Sequence, residues 1–456
     1  MKKIIILALA IIVSSCSSKI ETTTIQGTIL NYDNQEFKLY SLNGTDEILS
    51  IDEQGNFEVS QILPEGFYKL LQGRTSIEVY LQPGAVLNLS FDAENFVESS
   101  VFTGDLSAEN NYLLAKKEQL SAFNKEIPNL YKKDEADFLL AMKTGTEQDI
   151  AVLGQTAHIS THFLKLETKN LMYTKARRMD MYKSYHAHYA KVDAQEPSEA
   201  FKAEIPKVTL NNYQDYVNSG DFRSLVSGHF YDLAEEDLKE NEDADYYYTY
   251  LNEIKNSDFD PKIKSLLAFQ NAQNSITYTD DLDNYYQIYL ELDGDEAHRL
   301  KITEVYNKLQ KLKKGEVSPT FANYENYKGG TSSLKDFEGK YVYMDIWAQW
   351  CGPCKREIPS LKKVEAAYHN KNIEFVSISV DKEKDYDKWR AMIADKELGG
   401  VQLLADKNWQ SDFIKEYMIR GIPRFILVDP QGNIVSWNAP RPSSEKLIKL
   451  FDQLKI

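Results

Sequence analysis

The segment Met344-Asp345-Ile346-Trp347-Ala348-Gln349-Trp350-Cys351-Gly352-Pro353-Cys354-Lys355 constrains this chain more than any other. An apolar strand pattern runs into two cysteines at C-x-x-C spacing, and a helical pattern opens immediately after the first. A thiolate at a helix start is stabilised by unpaired backbone N–H groups and the positive end of the helix dipole. With two residues between them, the cysteines can close or open a disulfide without large backbone motion. The chemistry this points to is thiol redox.

The cysteine inventory sharpens the reading. The chain has 3 cysteines, Cys16, Cys351 and Cys354. The competing use of the pair is half of a zinc site, which needs about four ligands. No second C-x-x-C and no accompanying H-x-x-C or C-x-x-H is present, so redox is preferred and neither a metal nor another cofactor is expected.

The N-terminus bears on location. Lys2 and Lys3 precede an apolar run from Ile4 to Val13, too short for a permanent membrane helix. The run ends in Val13-Ser14-Ser15-Cys16, which resembles a bacterial lipobox, with Cys16 as the lipidated first residue of the mature chain. The alternative is an ordinary secretory signal with an incidental cysteine. The lipoprotein reading makes residues 1–15 a signal peptide and 16–23 a tether, and it leaves Cys351 and Cys354 as the free thiols. Ser17-Ser18-Lys19-Ile20 carries no acidic cluster of the kind that resembles surface-export signals. The expected location is therefore the cell envelope, facing the periplasm. Acyl chains contribute about 0.8 kcal/mol per buried CH₂, so several on one cysteine anchor firmly.

Length and charge bound the remainder. The 456 residues suggest two or three domains, and 42% hydrophobic with 12% aromatic residues suffices for real cores. A net charge of −16 excludes the basic excess that nucleic-acid binding requires.

Residues 24–104 read as all-β, a small sandwich or barrel. Short runs such as Ile25–Leu30, Phe37–Tyr40 and Phe57–Val59 are cut by turn signals including Asn43-Gly44 and Pro83-Gly84. Residues 105–314 read as helical, with Leu106–Leu120, Asp149–Leu171 and Leu300–Leu312 carrying apolar residues at three- and four-residue spacing. The tyrosine-rich Tyr246–Tyr250 is expected at helix–helix contacts, with a ligand or partner surface as the alternative. His158 and His162 are placed one helical turn apart, a metal-compatible spacing that lacks the carboxylate of an H-E-x-x-H site. His186 and His188 are expected on different helix faces. Asp281-Leu282-Asp283-Asn284 reads as a cap or solvated loop rather than a calcium loop. From 315 to 456 strands and helices alternate: Tyr341–Trp347, Lys355–His369, Ile373–Val380, Asp385–Asp395, Val401–Leu404, Gln410–Tyr417, Phe425–Val428, Ile434–Trp437 and Ser443–Leu454. That order describes an α/β sheet covered by helices.

This last portion resembles a thioredoxin-fold domain. The matching features are Trp350-Cys351-Gly352-Pro353-Cys354-Lys355, Asp345 six residues before the first cysteine, Ile419-Arg420-Gly421-Ile422-Pro423 and Pro359. The 72 positions from Cys351 to Pro423 and the run Cys354-Lys355-Arg356-Glu357-Ile358-Pro359 are similar to the TlpA/ResA-like branch. The stretch from Ile25-Gln26-Gly27-Thr28 to Phe102-Thr103-Gly104 resembles an uncharacterised β-domain found before such modules in Bacteroidetes-type lipoproteins. Peroxiredoxins share the fold, but their proline–threonine–cysteine approach is missing here.

The resemblance implies an envelope-anchored thiol-disulfide oxidoreductase. Cys351 would be the more exposed cysteine and the nucleophile, Cys354 the resolving thiol, and Asp345 a buried acid that takes the Cys354 proton. Glu357 would lie near the thiols. Pro423 would be cis and set the Ile422 backbone against a substrate strand, with Trp350, Gly352 and Pro353 completing the docking surface. Arg424 departs from the usual threonine and is expected to influence docking, and no lysine accompanies Asp345 on Phe375–Val380. Gly352-Pro353 resembles the reducing members, so protein disulfides are the expected substrates and a membrane thiol relay the expected donor. Cytochrome c maturation is a task implied by resemblance alone. The alternatives are a disulfide oxidase or isomerase, and a partner-binding lipoprotein with an ancillary thioredoxin domain.

Overall fold

The computed structural model describes residues 21–42, 46–241 and 244–456. Cys16, its leader and the Asn43-Gly44 turn lie outside them. The chain divides into two compact units, Met1–His229 and Phe230–Ile456.

In the first unit, alternation of apolar and polar residues builds two four-stranded sheets. One has the order β4-β1-β7-β8, from Asn56–Gln61, Thr23–Leu30, Val86–Asp92 and Val101–Gly104. The other has the order β3-β2-β5-β6, from Asp46–Ile48, Phe37–Tyr40, Gly66–Gln72 and Thr75–Leu81. Their inward residues form one core, in which Ile25, Ile29, Leu87 and Leu89 meet Phe37, Leu39, Leu70 and Val79. The expected small β-domain is therefore a sandwich. Gly27 in β1 is required by close approach, because a methyl there would fall 1.7 Å from the Leu89 carbonyl oxygen.

Helices Ser107–Tyr131, Glu135–Gln155, Thr161–Asp180 and Tyr182–Ala190 follow. The expected helix across Asp149–Leu171 is two helices. Ser160 caps the second by accepting from the Phe163 N–H, and His158 sits in the intervening loop at φ 66°. His158 and His162 therefore do not share a helix face, and His162 pairs with Glu65 at 2.8 Å. His186 stacks on Tyr182 and its Nδ1 lies 2.9 Å from the Tyr131 carbonyl.

The second unit carries helices Tyr246–Asn256, Pro261–Ser275, Leu282–Leu292 and Glu296–Leu309. Tyr250 is buried against Tyr231, so part of the tyrosine run lies at helix contacts, as expected. Asp281 occupies the N-cap position of the third of these helices. A seven-stranded sheet follows, in the order β10-β9-β13-β12-β11-β14-β15. Its strands are β9 Tyr324–Asn326, β10 Thr331–Ser332, β11 Tyr341–Trp347, β12 Ile373–Ser379, β13 Val401–Leu404, β14 Arg424–Val428 and β15 Ile434–Ser436. Strands β11, β12 and β13 are parallel, and β14 is antiparallel to β11. Parallel strands buried on both faces explain the apolar run of β11, which is interrupted by Asp345. Helices Gly352–Tyr368 and Glu445–Gln453 cover one face through Leu361, Val364, Leu447 and Phe451, which pack with Tyr343, Phe375 and Phe425.

Candidate functional site: a dithiol at a helix start

Strand β11 ends at Trp347, and the chain turns within four residues into helix Gly352–Tyr368. Cys351 is the N-cap of that helix, and its Sγ accepts from the Cys354 N–H at 3.1 Å. Pro353 sits in the first turn, where a missing N–H costs nothing. The two cysteines are joined as a disulfide. Asp381, just past β12, fixes the turn from outside: its Oδ2 accepts from the Gln349 N–H at 2.9 Å and from Ser379 Oγ at 2.8 Å. Burial pushes the Asp381 carboxyl above the usual range.

The Ile422-Pro423 peptide bond is cis, as expected, and the Ile422 carbonyl oxygen lies 3.8 Å from Cys351 Sγ. Among the described residues, the Ile422 N–H makes no main-chain hydrogen bond. A free peptide edge beside a disulfide is suited to pairing with an extended segment. Around it, Trp350 is 51% exposed, Pro353 is exposed, and Gly352 and Ile422 are half-buried.

One expectation needs correction. Cys351 is not the more exposed cysteine: it is 3% exposed and Cys354 4%. In the disulfide form Cys351 Sγ is held between its own helix start and the cis-proline loop, so solvent reaches neither sulfur freely.

Behind Cys354 lies a cavity of about 10 Å³ lined by Asp345, Cys354, Glu365, Ser377, Gln402 and neighbouring side chains. The Asp345 Oδ1 is shielded from solvent and has no hydrogen-bond partner among the described residues. Burial pushes its carboxyl up to about 8, and the Glu365 and Glu357 carboxylates add to the rise. Burial also pushes Glu365 up to about 7, against the opposing charge of Lys362. The site thus holds two raised acids on the Cys354 side.

Glu357 is placed differently. Its carboxylate accepts from the Ser443 N–H at 3.1 Å and from Ser443 Oγ at 3.0 Å, with Arg441 Nη1 3.8 Å away. It ties down the loop before the last helix and reaches the acid behind Cys354 only through its charge. Arg424 is 2% exposed and turned inward, so it does not itself present a docking surface.

Glu365 and Asp381 were not singled out from the sequence. Glu365 was legible in principle, since it lies on the helix face of Cys354 and Leu361 by spacing. Asp381 carries no such signal. Among the described residues, no cluster of His, Cys, Asp or Glu fit to hold a metal ion is present.

The AhpC/TSA family matches residues 315–436. The thiol-disulfide oxidoreductase ResA of Bacillus cereus is 27% identical over 150 residues, covering 31% of this chain and 79% of that protein. ResA of Halalkalibacterium halodurans is 28% identical over 140 residues, covering 31% of this chain and 76% of that protein. The solved thioredoxin domain of a thiol-disulfide oxidoreductase from Bacteroides vulgatus is 33% identical, covering 31% of this chain and 98% of that one, with a TM-score of 0.28.

Proposed function

The C-terminal portion of this chain belongs to the thioredoxin-like thiol-disulfide oxidoreductases of the AhpC/TSA family, and from that premise we propose that it reduces protein disulfides in the cell envelope. The observation that carries the reading is the Cys351–Cys354 pair at a helix start, with the cis-proline loop against Cys351 and an acid behind Cys354.

In the reduced form, the Cys351 thiolate attacks one sulfur of a substrate disulfide. A mixed disulfide forms and the other substrate sulfur leaves as thiolate. The Ile422 backbone pairs with the substrate chain while Trp350, Gly352 and Pro353 contact it. Cys354 then gives up its proton and attacks Cys351 Sγ, which releases the second substrate thiolate and leaves Cys351–Cys354 oxidised. Two electrons have passed to the substrate, and an external dithiol must return them. A free thiol titrates near 8.5, so a carboxylate at about 8 exchanges a proton with it at little cost. Asp345 is therefore the base for Cys354.

The Gly352-Pro353 dipeptide supports the reducing direction, and the Lys2-to-Cys16 leader supports a lipid anchor facing the periplasm with a membrane thiol donor. Cytochrome c maturation is one task compatible with such a reductant. The test is capture: Cys354→Ser should accumulate covalent mixed disulfides with envelope proteins, lost again in Cys351→Ser. No Cys351-dependent adducts would contradict the proposal.

A second reading has one observation behind it. The first unit contains a cavity of about 340 Å³ whose lining includes Tyr112, Lys116, Phe123, Arg178 and Asp221, which suits a ligand-binding lipoprotein. Function surviving Cys351→Ser would favour it.

A further inference from the structure

The cis-proline loop is gripped at both ends by the helical part of its own unit. Before it, Arg420 Nη1 donates to the Gln273 carbonyl at 2.8 Å. After it, Arg424 Nη1 donates to the Thr277 carbonyl at 2.6 Å and to Asn438 Oδ1 at 3.1 Å, while Nη2 donates to Thr277 Oγ1 at 3.2 Å. Asn438 closes the circuit by donating to the Tyr278 carbonyl at 2.7 Å. The Arg424 guanidinium lies over the Tyr278 ring, 4.1 Å from its centroid. Burying a guanidinium without a carboxylate partner is costly unless carbonyls and an aromatic face replace water. These contacts do so for the two terminal nitrogens, while Nε has no hydrogen-bond partner among the described residues.

Its consequence is positional. A methyl at Gly421 would fall 2.6 Å from the Tyr278 hydroxyl oxygen, so that phenol lies directly against the loop. The next residue, Ile422, presents the carbonyl beside Cys351 Sγ. Tyr278 is half-buried, and its ring centroid lies 6.0 Å from that of Tyr247. The segment linking helices Pro261–Ser275 and Leu282–Leu292 thus borders the docking edge within one residue of the substrate-pairing position.

We propose that residues 273–278 form a fixed wall of the substrate groove, with Tyr278 as a specificity-determining contact for polypeptide disulfides and Arg424 as the residue that positions it. A polypeptide running past Ile422 meets the Tyr278 ring. A small disulfide that ends two carbons from sulfur does not reach it. The inference deepens the reductase reading and rests on it.

The test is the second-order rate at which the pre-reduced full-length chain is oxidised, followed by tryptophan fluorescence, with insulin and with hydroxyethyl disulfide. In Tyr278→Ala, the insulin rate should fall roughly tenfold relative to the hydroxyethyl disulfide rate, the size of one well-placed aromatic contact. Tyr278→Phe should keep the wild-type ratio, and the reduction potential of the Cys351–Cys354 pair should be the same in all three. If Tyr278→Ala does not fold, Tyr278→Leu takes its place. A ratio that is unchanged or raised overturns the wall while leaving the reductase reading intact. A wild-type chain oxidised by neither disulfide overturns both.

Discussion

Asp345 couples the redox site to the stability of the fold. Its carboxyl keeps its proton up to about 8 in the folded chain and loses it near 3.9 once unfolded. Between those values the folded state binds a proton that the unfolded state does not. This stabilising difference is complete below the unfolded value and is lost as the pH rises, until the ionised carboxylate sits unpaired above about 8. Asp345→Asn removes the titration. The variant should exceed the wild type by about 5 kcal/mol at pH 8 and nearly match it at pH 4, measured as unfolding free energy in denaturant at each pH. Parallel pH profiles for the two proteins would refute the assignment. On the proposed mechanism the same substitution deprives Cys354 of its base, so the variant gains stability and loses speed in resolution, a trade expected where a fold keeps an acid for chemistry.

At the scale of elements, the loop–helix junction makes a prediction of its own. Gly421→Ala places a methyl against the Tyr278 hydroxyl, and such overpacking typically costs about 1–3 kcal/mol. Adding Tyr278→Phe removes the hydroxyl and should recover a measurable part of that loss in thermal unfolding. Strict additivity of the two substitutions would show that the groups do not touch. This junction was invisible in the sequence because Arg424 and Thr277 lie 147 positions apart, and arginine in an apolar strand start signals nothing about its partner. Strands β11, β12 and β13 were legible, since each reads as a short, mostly apolar run between turn signals. Strands β9 and β10, of three and two residues, are too short to show a period. The break at His158 was hidden because apolar spacing continues across it, while the features that end one helix and start the next, a positive φ and the Ser160 cap, leave a weak local trace. Of the candidate site, the cysteines were readable from their spacing, and Asp345 and Pro423 only through the resemblance to thioredoxin-fold domains. Glu357 was readable as a residue near the site, but its Ser443 partner lies 86 positions away.

For the whole molecule, the redox chemistry occupies under a third of the chain, and the remaining residues need a physical reason to be there. Part of the helical region has one in the wall beside the cis-proline loop. The proposed lipid anchor at Cys16 would add another constraint, since an anchored reductant would meet its substrates and its electron donor at a membrane surface. Cys16→Ser should shift the chain from the membrane to the soluble fraction while leaving the Cys351–Cys354 chemistry intact, read by fractionation and by thiol labelling. A chain that stays membrane-bound after this change would contradict the lipid anchor.

The central claim, that the dithiol donates electrons to protein disulfides, is tested most directly by the reduction potential of the Cys351–Cys354 pair in the full-length chain, obtained by equilibration with defined thiol buffers. The account predicts about −250 mV or lower, in the range of thioredoxin-like reductants. A value of about −120 to −180 mV would contradict it and assign the site to disulfide formation or isomerisation.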